Sequence, residues 1–254
     1  MIGPIDRRVN GPGQGTTSPP ILRAVSISTI RRHTKAPSER VRVRRVHKKA
    51  AYDREAVTAI LDEALVAHVG FAHDCQPFVI PTLHARIGDE VFVHGSSASR
   101  ALRTVGGTVP VCITVTLLDG IVFARSMFEM SVNYRSVVML GEARAVTDPE
   151  EKLRALHAFS EQVLPGRWDA ARKPSPKELK ATAVLALALD EASAKISTGG
   201  PDDGESEDAE LDVWAGHVPI GLTAGEPVPC PHLRPGIPLP NEIAAYQRRL
   251  DRAA

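Results

Sequence analysis

Between residues 66 and 96 short apolar runs alternate with turn signals, and no other feature of the sequence restricts the fold as much. "VGFAH" is followed by the Pro-containing turn "DCQP", then by "FVIPTLHARI", a "GD" turn and "EVFVHG", which predicts three short strands joined by hairpins. "PVCITVTLL", "DG" and "IVFARSM" predict another hairpin, "SVVMLGEARAVT" continues the β pattern, and "AVLALALDEASAKI" reads as one buried strand that ends the sheet. Strands joined this tightly pair antiparallel in a sheet or a barrel, so the expected class is mainly β with flanking helices. A chain of 254 residues with 43% hydrophobic residues can build one large domain or two small ones. Aromatic content of 4% beside 19 Gly and 20 Pro fits strands and turns better than long helices.

The helices are marked by their caps. In "YDREAVTAILDEALVAH" Asp53 suits an N-cap, and Val57, Ile60, Leu61, Ala64 and Leu65 recur on one face. "DPEEKLRALHAFSEQVL" puts Asp148 at the cap, Pro149 at the first helical position and Glu151 where it can complete a capping box, and "SPKELKAT" repeats the device with Ser175, Pro176 and Glu178. A short helix is expected in "SSASRALRTV", capped by Ser96 or Ser97, and a last one near "PNEIAAYQRRL", beyond the acidic loop "PDDGESEDAELD" and a Pro-rich segment.

Residues 1–38 have no sustained periodicity and read as a disordered basic tail rich in Pro, Gly and Ser, residues 39–240 as the folded domain, and residues 241–254 as a C-terminal helix. The first 50 residues hold 12 basic and 2 acidic side chains, the remainder 19 basic and 28 acidic, so the folded part is acidic behind a formal net charge of +1. "ILRAVSISTIRRHTK" shares the Arg and Ser richness of organellar transit peptides, the plainer readings being a disordered extension or an upstream start codon. "RVRVRRVHKK", residues 40–49, could pair as an edge strand or touch nucleic acid; no nucleic-acid motif accompanies it, so it reads as a solvated tail and nucleic acid is not an expected partner. Cys75, Cys112 and Cys230 are odd in number and widely spaced, which argues against a disulfide framework or a thiolate metal site and for a reducing cytoplasm. The longest apolar run, "AVLALAL" at residues 183–189, falls well short of the roughly 20 residues of a membrane span, so no membrane partner is expected.

Two clusters carry chemistry. In "VFVHGSSASRAL" a strand hands over to a predicted helix start, where unpaired N–H groups and the helix dipole favour an anion. Gly95 lets the backbone approach, Ser96 and Ser97 donate hydrogen bonds, and Arg100 can reach back with a forked donor, which suits a phosphate dianion; plain helix capping is the alternative. In "ARSMFEMSVNYRSVV" the polar residues Ser131, Asn133, Tyr134, Arg135 and Ser136 gather where a turn is expected. They form either a second wall of a ligand site, with Tyr134 as a plane and Arg135 as a charge, or an exposed loop in which Arg125 and Arg135 pair with acidic neighbours such as Glu129.

Taken together, "HVGF…PFVIPTLHARIGDEVFVHGSSASRAL", "VCITVTLLDGIVFARSMFEMSVNYRSVVMLGEA", "PGRW", "EASAKI" and "VWAGHVPI" resemble the pyridoxamine 5′-phosphate oxidase-related flavin-nucleotide-binding proteins, including the nitroimidazole-resistance-like branch. The resemblance runs from about residue 39 to about residue 240. It implies an FMN-binding split β-barrel and a homodimer with flavin sites at the subunit interface. It assigns Ser96, Ser97 and Arg100 to the FMN phosphate, Ile80, Pro81 and Thr82 to the flavin ring and ribityl chain with His94 and Gly95 close by, and Asn133, Tyr134, Arg135 and Ser136 to the site or the dimer seam. Trp214 corresponds to a C-terminal element that approaches the flavin from the partner chain. The implied activity is FMN-dependent oxidoreduction of a small organic substrate, with no side chain required as acid or base.

"CPHLRPGIPLPNE" lacks the C-terminal Arg-containing motif of pyridoxamine phosphate oxidases, which argues against vitamin B6 oxidation. The alternative is a carrier for flavin, deazaflavin or haem on the same barrel, since fold does not decide activity. His68, His73, His84 and His94 fall on adjacent predicted strands, where such residues can ligate a metal or haem iron; no H-E-x-x-H helix or cysteine pair supports this, and no metal is expected. Cys112, inside a β run, reads as a small buried hydrophobe.

Overall fold

The computed structural model describes residues 35–97 and 107–246. Its strands are β1 (Ala50–Ala51), β2 (Val66–His73), β3 (Gln76–Ile87), β4 (Glu90–Ser96), β5 (Thr108–Phe123), β6 (Ser131–Ala145), β7 (Thr182–Ala188), β8 (Ala192–Ser197) and β9 (Gly216–Pro219). The helices are α1 (Arg54–Glu63), α2 (Pro149–Val163), α3 (Arg167–Ala170), α4 (Pro176–Ala181) and α5 (Asn241–Ala244). Neighbours run in the order β1-β8-β6-β7-β4-β3-β2-β5-β9, and a further β5–β6 pairing closes β6, β7, β4, β3, β2 and β5 into a ring. One edge of β6 serves two neighbours, since Tyr134–Met139 pair with β8 while Arg144 and Ala145 pair with β7. The barrel is split at that change of partner, and the mainly β expectation holds.

The expected hairpin at "DG" does not form. Thr108–Phe123 is a single strand with a register irregularity between Leu118 and Gly120. Asp119 is the extra residue: its carbonyl accepts from the Ile220 N–H at 3.0 Å and its carboxylate faces Arg135. A side chain at Gly120 would come within 2.9 Å of the Val218 carbonyl on β9. A glycine beside an acidic residue serves a bulge as readily as a turn, and partners on both edges decided for the bulge. "AVLALALDEASAKI" likewise breaks into β7 and β8, which pair with different stretches of β6 instead of forming one strand.

Two apolar clusters hold the barrel. Val57, Ile60 and Leu61 of α1 pack with Val69, Ile113, Val115, Val137, Met139 and Leu185. On the other side of β3, β4 and β7, Ala155 and Phe159 of α2 cover Ala85, Phe92, Val184 and Ala186. Asp53, Asp148 and Ser175 cap their helices as predicted, each accepting from a backbone N–H three residues on. Ser175 and Glu178 form the full capping box, but Glu151 does not; its carboxylate lies 2.5 Å from Arg144, which also holds Glu90, and this charge-assisted contact outcompetes the cap.

Most side chains of residues 40–49 are solvent-exposed as expected, but the segment is fastened to the domain and is not a free tail. Val41 is buried, the Val43 N–H donates to the Tyr52 hydroxyl at 2.8 Å, and Lys49 Nζ donates to Ser197 Oγ at 2.9 Å. The segment lies along β8, and strand pairing is confined to Ala50 and Ala51.

Candidate cofactor site

β3 and β4 bring the first predicted cluster together. The Thr82 hydroxyl donates to the His94 carbonyl at 3.2 Å, and His94, Gly95 and Ser96 pair in register with Val184, Ala183 and Thr182 of β7. Ser96 is thus the last residue of a strand, and the Ser97 N–H donates to the Ala181 carbonyl at 2.9 Å. That amide serves the fold, so an anion here would rely on side-chain hydroxyls and on groups further along. Arg100 and most of the expected short helix lie outside the described residues. The His94 ring packs on Phe159 at 4.4 Å, its Nδ1 is buried with no hydrogen-bond partner among the described residues, and burial lowers its pKa.

Strand alternation divides the "NYRS" residues. Asn133 and Arg135 point inward: Asn133 Nδ2 donates to the Gly199 carbonyl at 2.9 Å, and Arg135 lies between Asp119 and Glu63. Its Nε and Nη2 donate to the Asp119 carboxylate at 2.9 and 2.7 Å, Nη2 also reaches Glu63 at 2.8 Å, and Nη1 meets Glu63 as well. Burial opposes the charge, but the hydrogen bonds that the guanidinium donates to both carboxylates outweigh it and raise the pKa. The guanidinium therefore ties α1 and the β5 bulge to β6 at one mouth of the barrel. Arg125 is held in the same way by Asp203, a nearly inaccessible carboxylate that takes its backbone N–H at 2.6 Å and its Nη1 at 2.8 Å. Both arginines have acidic partners, none of them Glu129.

Tyr134 and Ser136 point outward, onto a face that α2 does not cover. Paired positions share a face, which gives the rows Tyr134–Leu118, Ser136–Thr116, Val138–Thr114–His68–Pro81 and Leu140–Cys112–Gly70–Val79. Val79, Leu118 and Val138 are 66%, 46% and 36% exposed on it. Of the β3 residues, Pro81 lies on this face, whereas Ile80 packs against the inner core and Thr82 is tied to β4. Trp214 stands apart; it is 68% exposed, 6.1 Å from Phe123, and a Cβ at Gly216 would meet its ring at 2.9 Å.

The histidines separate in the same way. His84 is buried, its Nε2 lies 3.0 Å from the Leu61 carbonyl, and burial lowers its pKa. His73 lies 3.4 Å from Asp74, while exposed His68 makes no hydrogen bond, ion pair or ring contact with the described residues. The open face and its central histidine were missed as a unit; the signal was the alternation of Val66, His68 and Gly70 with buried Ala67 and Val69. Glu63, Asp119 and Asp203 were missed because each meets its arginine from a distant element. Asp119, a charge inside an apolar run, was the visible clue.

Residues 53–196 match the family model described as pyridoxamine 5′-phosphate oxidase. The chain belongs to this family. The matched stretch begins at the cap of α1, ends in β8 and contains every strand of the closed ring, so the split barrel is the family's fold. The structure of the flavocytochrome Anf3 from Azotobacter vinelandii is 44% identical and superposes with a TM-score of 0.77 over 83% of this chain and 97% of its own. That of a FAD- and haem-binding protein from Mycobacterium smegmatis is 37% identical, with a TM-score of 0.72 over 79% of this chain and 98% of its own. Both extend beyond the stretch matched by the family model. A search of curated proteins found no match. No helix among the described residues is long and apolar enough to cross a membrane.

Proposed function

We propose that this family member binds a flavin nucleotide and acts as an oxidoreductase on a small organic substrate. The observation that carries the reading is the extent of its likeness to a flavocytochrome and to a FAD- and haem-binding protein, which spans the whole barrel and not one motif. The chain's own residues fit such a group. Among the described residues the buried His94 Nδ1, beside Gly95, Ser96 and Ser97, has no hydrogen-bond partner, and such an atom suits a site that a ligand completes.

In this reading Ser96 and Ser97 offer hydroxyls to the phosphate and Arg100 supplies the forked cation. Thr82 holds β3 against β4 at that edge, and Pro81, Tyr134 and Ser136 border the ring from the open face. Arg135 acts on the fold, because two carboxylates already take its charge. A bound flavin would supply hydride or electron exchange with the substrate. The nucleotide is FMN in the sequence reading, while the relative described as FAD-binding favours FAD; both carry the phosphate that Ser96, Ser97 and Arg100 would meet. The two relatives also make haem a second cofactor to consider.

The proposed assembly is a homodimer. The open sheet face is apolar at Val79, Leu118 and Val138, and the extended C-terminal arm exposes Val213, Trp214, Leu222, Val228 and Leu239, apolar groups that a partner surface would cover. A second copy would cover both, with Trp214 of one chain beside the flavin of the other.

Denaturing the purified protein and identifying the released nucleotide by mass tests the reading, and the absence of any flavin after reconstitution with FMN or FAD would end it. Arg100→Ala should weaken flavin binding by about 1.5–3 kcal/mol, the worth of a charge-assisted hydrogen bond. Anaerobic reduction followed by mixing with candidate acceptors separates an enzyme from a carrier.

A further inference from the structure

We propose that His68 is an axial ligand to a haem iron seated on the open face of the barrel. The inference rests on the flavin-and-haem reading above and goes beyond it by naming the residue and the surface. A haem ligand must be an imidazole with an unengaged nitrogen, standing on a flat wall that can take the face of the macrocycle.

His68 meets each requirement by position. It sits in the third of four in-register rows, with Thr114 and Val138 on one side and Pro81 on the other. Across the four strands this wall is about 14 Å wide at the usual strand spacing. Gly70, in the next row, puts no side chain beside the imidazole; Val79, Cys112 and Leu140 complete that row, and burial pushes the Cys112 thiol pKa up, away from the thiolate that would compete for iron. The Thr114 hydroxyl donates to the Val137 carbonyl at 3.0 Å, which turns its polar atom toward the backbone. Nothing described competes for the His68 ring.

The other histidines on the barrel strands are engaged or turned away. The His84 Nε2 is at the Leu61 carbonyl inside the core, the His94 ring lies on Phe159 beneath α2, and His73 is at the hairpin end beside Asp74. His157 meets Trp168 edge-on at 5.4 Å, while His217 lies on β9, outside the four-strand face. Among the described residues no group of three or more His, Cys, Asp or Glu side chains is gathered as a metal cage. A haem needs no such cage, because the porphyrin fills four positions and the protein supplies axial ligands alone. A haem on this wall would lie in the seam of the proposed dimer, away from water.

The test uses the full-length protein, haemin and absorption and EPR spectroscopy. Wild type should bind haemin with a histidine-ligated ferric spectrum. His68→Ala should lose that spectrum and bind haemin more weakly by at least the roughly 10–100-fold that loss of a mere outer-shell partner costs a metal site. His68→Gly with added imidazole should recover the spectrum. Flavin affinity and the thermal melt of both variants should stay at wild-type values, which shows that they are folded. A wild-type spectrum and affinity in His68→Ala would overturn the assignment. If wild type itself takes no haemin while still binding flavin, the haem part of the reading fails and this inference with it; if it binds neither, the flavin reading fails too.

Discussion

The two halves of the barrel's outer surface have opposite characters. Over β3, β4 and β7, helix α2 buries Phe92, Val184 and Ala186 beneath Ala155 and Phe159, and the charged Arg144 nearby is held by both Glu90 and Glu151. Over β6, β5, β2 and the first half of β3 no described helix lies on the sheet, and Val79, Leu118, Val138 and His68 face outward. The strands of both halves follow the same alternation, so the difference comes from what is laid on them. A surface whose apolar groups are covered and whose charges are matched stabilises the chain; one whose apolar groups and imidazole lack partners is organised for something outside it.

That contrast can be broken by mutation. The largest expected effect is Phe159→Ala in the covered half, which should lower unfolding free energy by about 3–5 kcal/mol in a denaturant titration, whereas Val138→Ala on the open face should change it by about 0.5 or less. Similar losses at both positions would erase the distinction. Next is Arg135→Met, which leaves Glu63 and Asp119 facing each other without a cation at the barrel mouth and should cost about 2 kcal/mol. A neutral outcome would mean that Arg135 does not fasten the mouth and would return it to the list of ligand contacts.

A smaller effect is expected with pH. Burial holds His84 below its ordinary pKa of 6.5, so the unfolded chain takes up a proton at higher pH than the native chain does. Stability from this source is complete above about pH 6.5 and declines as the pH falls through and below that value; His94, lowered by burial in the same direction, adds to the decline. Thermal melts between about pH 7.5 and 5 should show it, and His84→Gln should flatten the slope. The smallest change in stability should come from Val79→Asp, within about 0.5 kcal/mol because the side chain is largely exposed, yet sedimentation should show the proposed dimer reduced to monomers.

Local signals survived into the structure where the interaction that decides them is itself local. The caps at Asp53, Asp148 and Ser175 bond to N–H groups three residues away, and the strands of β2, β3 and β4 follow an alternation visible in a short window. Readings failed where the partner is remote. "DG" at Asp119 and Gly120 became a bulge because Arg135 and β9 reach it from elsewhere, and the basic segment at residues 40–49 was fastened by Tyr52 and Ser197. The candidate site shows the same division. Thr82 and His94–Ser97 do converge at the β3–β4 edge, but the "NYRS" stretch, adjacent in sequence, is split by the pleat into an inner pair that braces the barrel and an outer pair on the open face.

By itself the sequence determined the strands β2, β3 and β4, the capped helices, the antiparallel class and the family to which the chain belongs, because hydrophobic period, caps and turn residues act over a few positions. Only the tertiary structure decided which polar groups are already matched within the fold and which face outward. That depends on which distant segments the closed ring brings within hydrogen-bonding range, a distance of about 3 Å that no sequence spacing encodes.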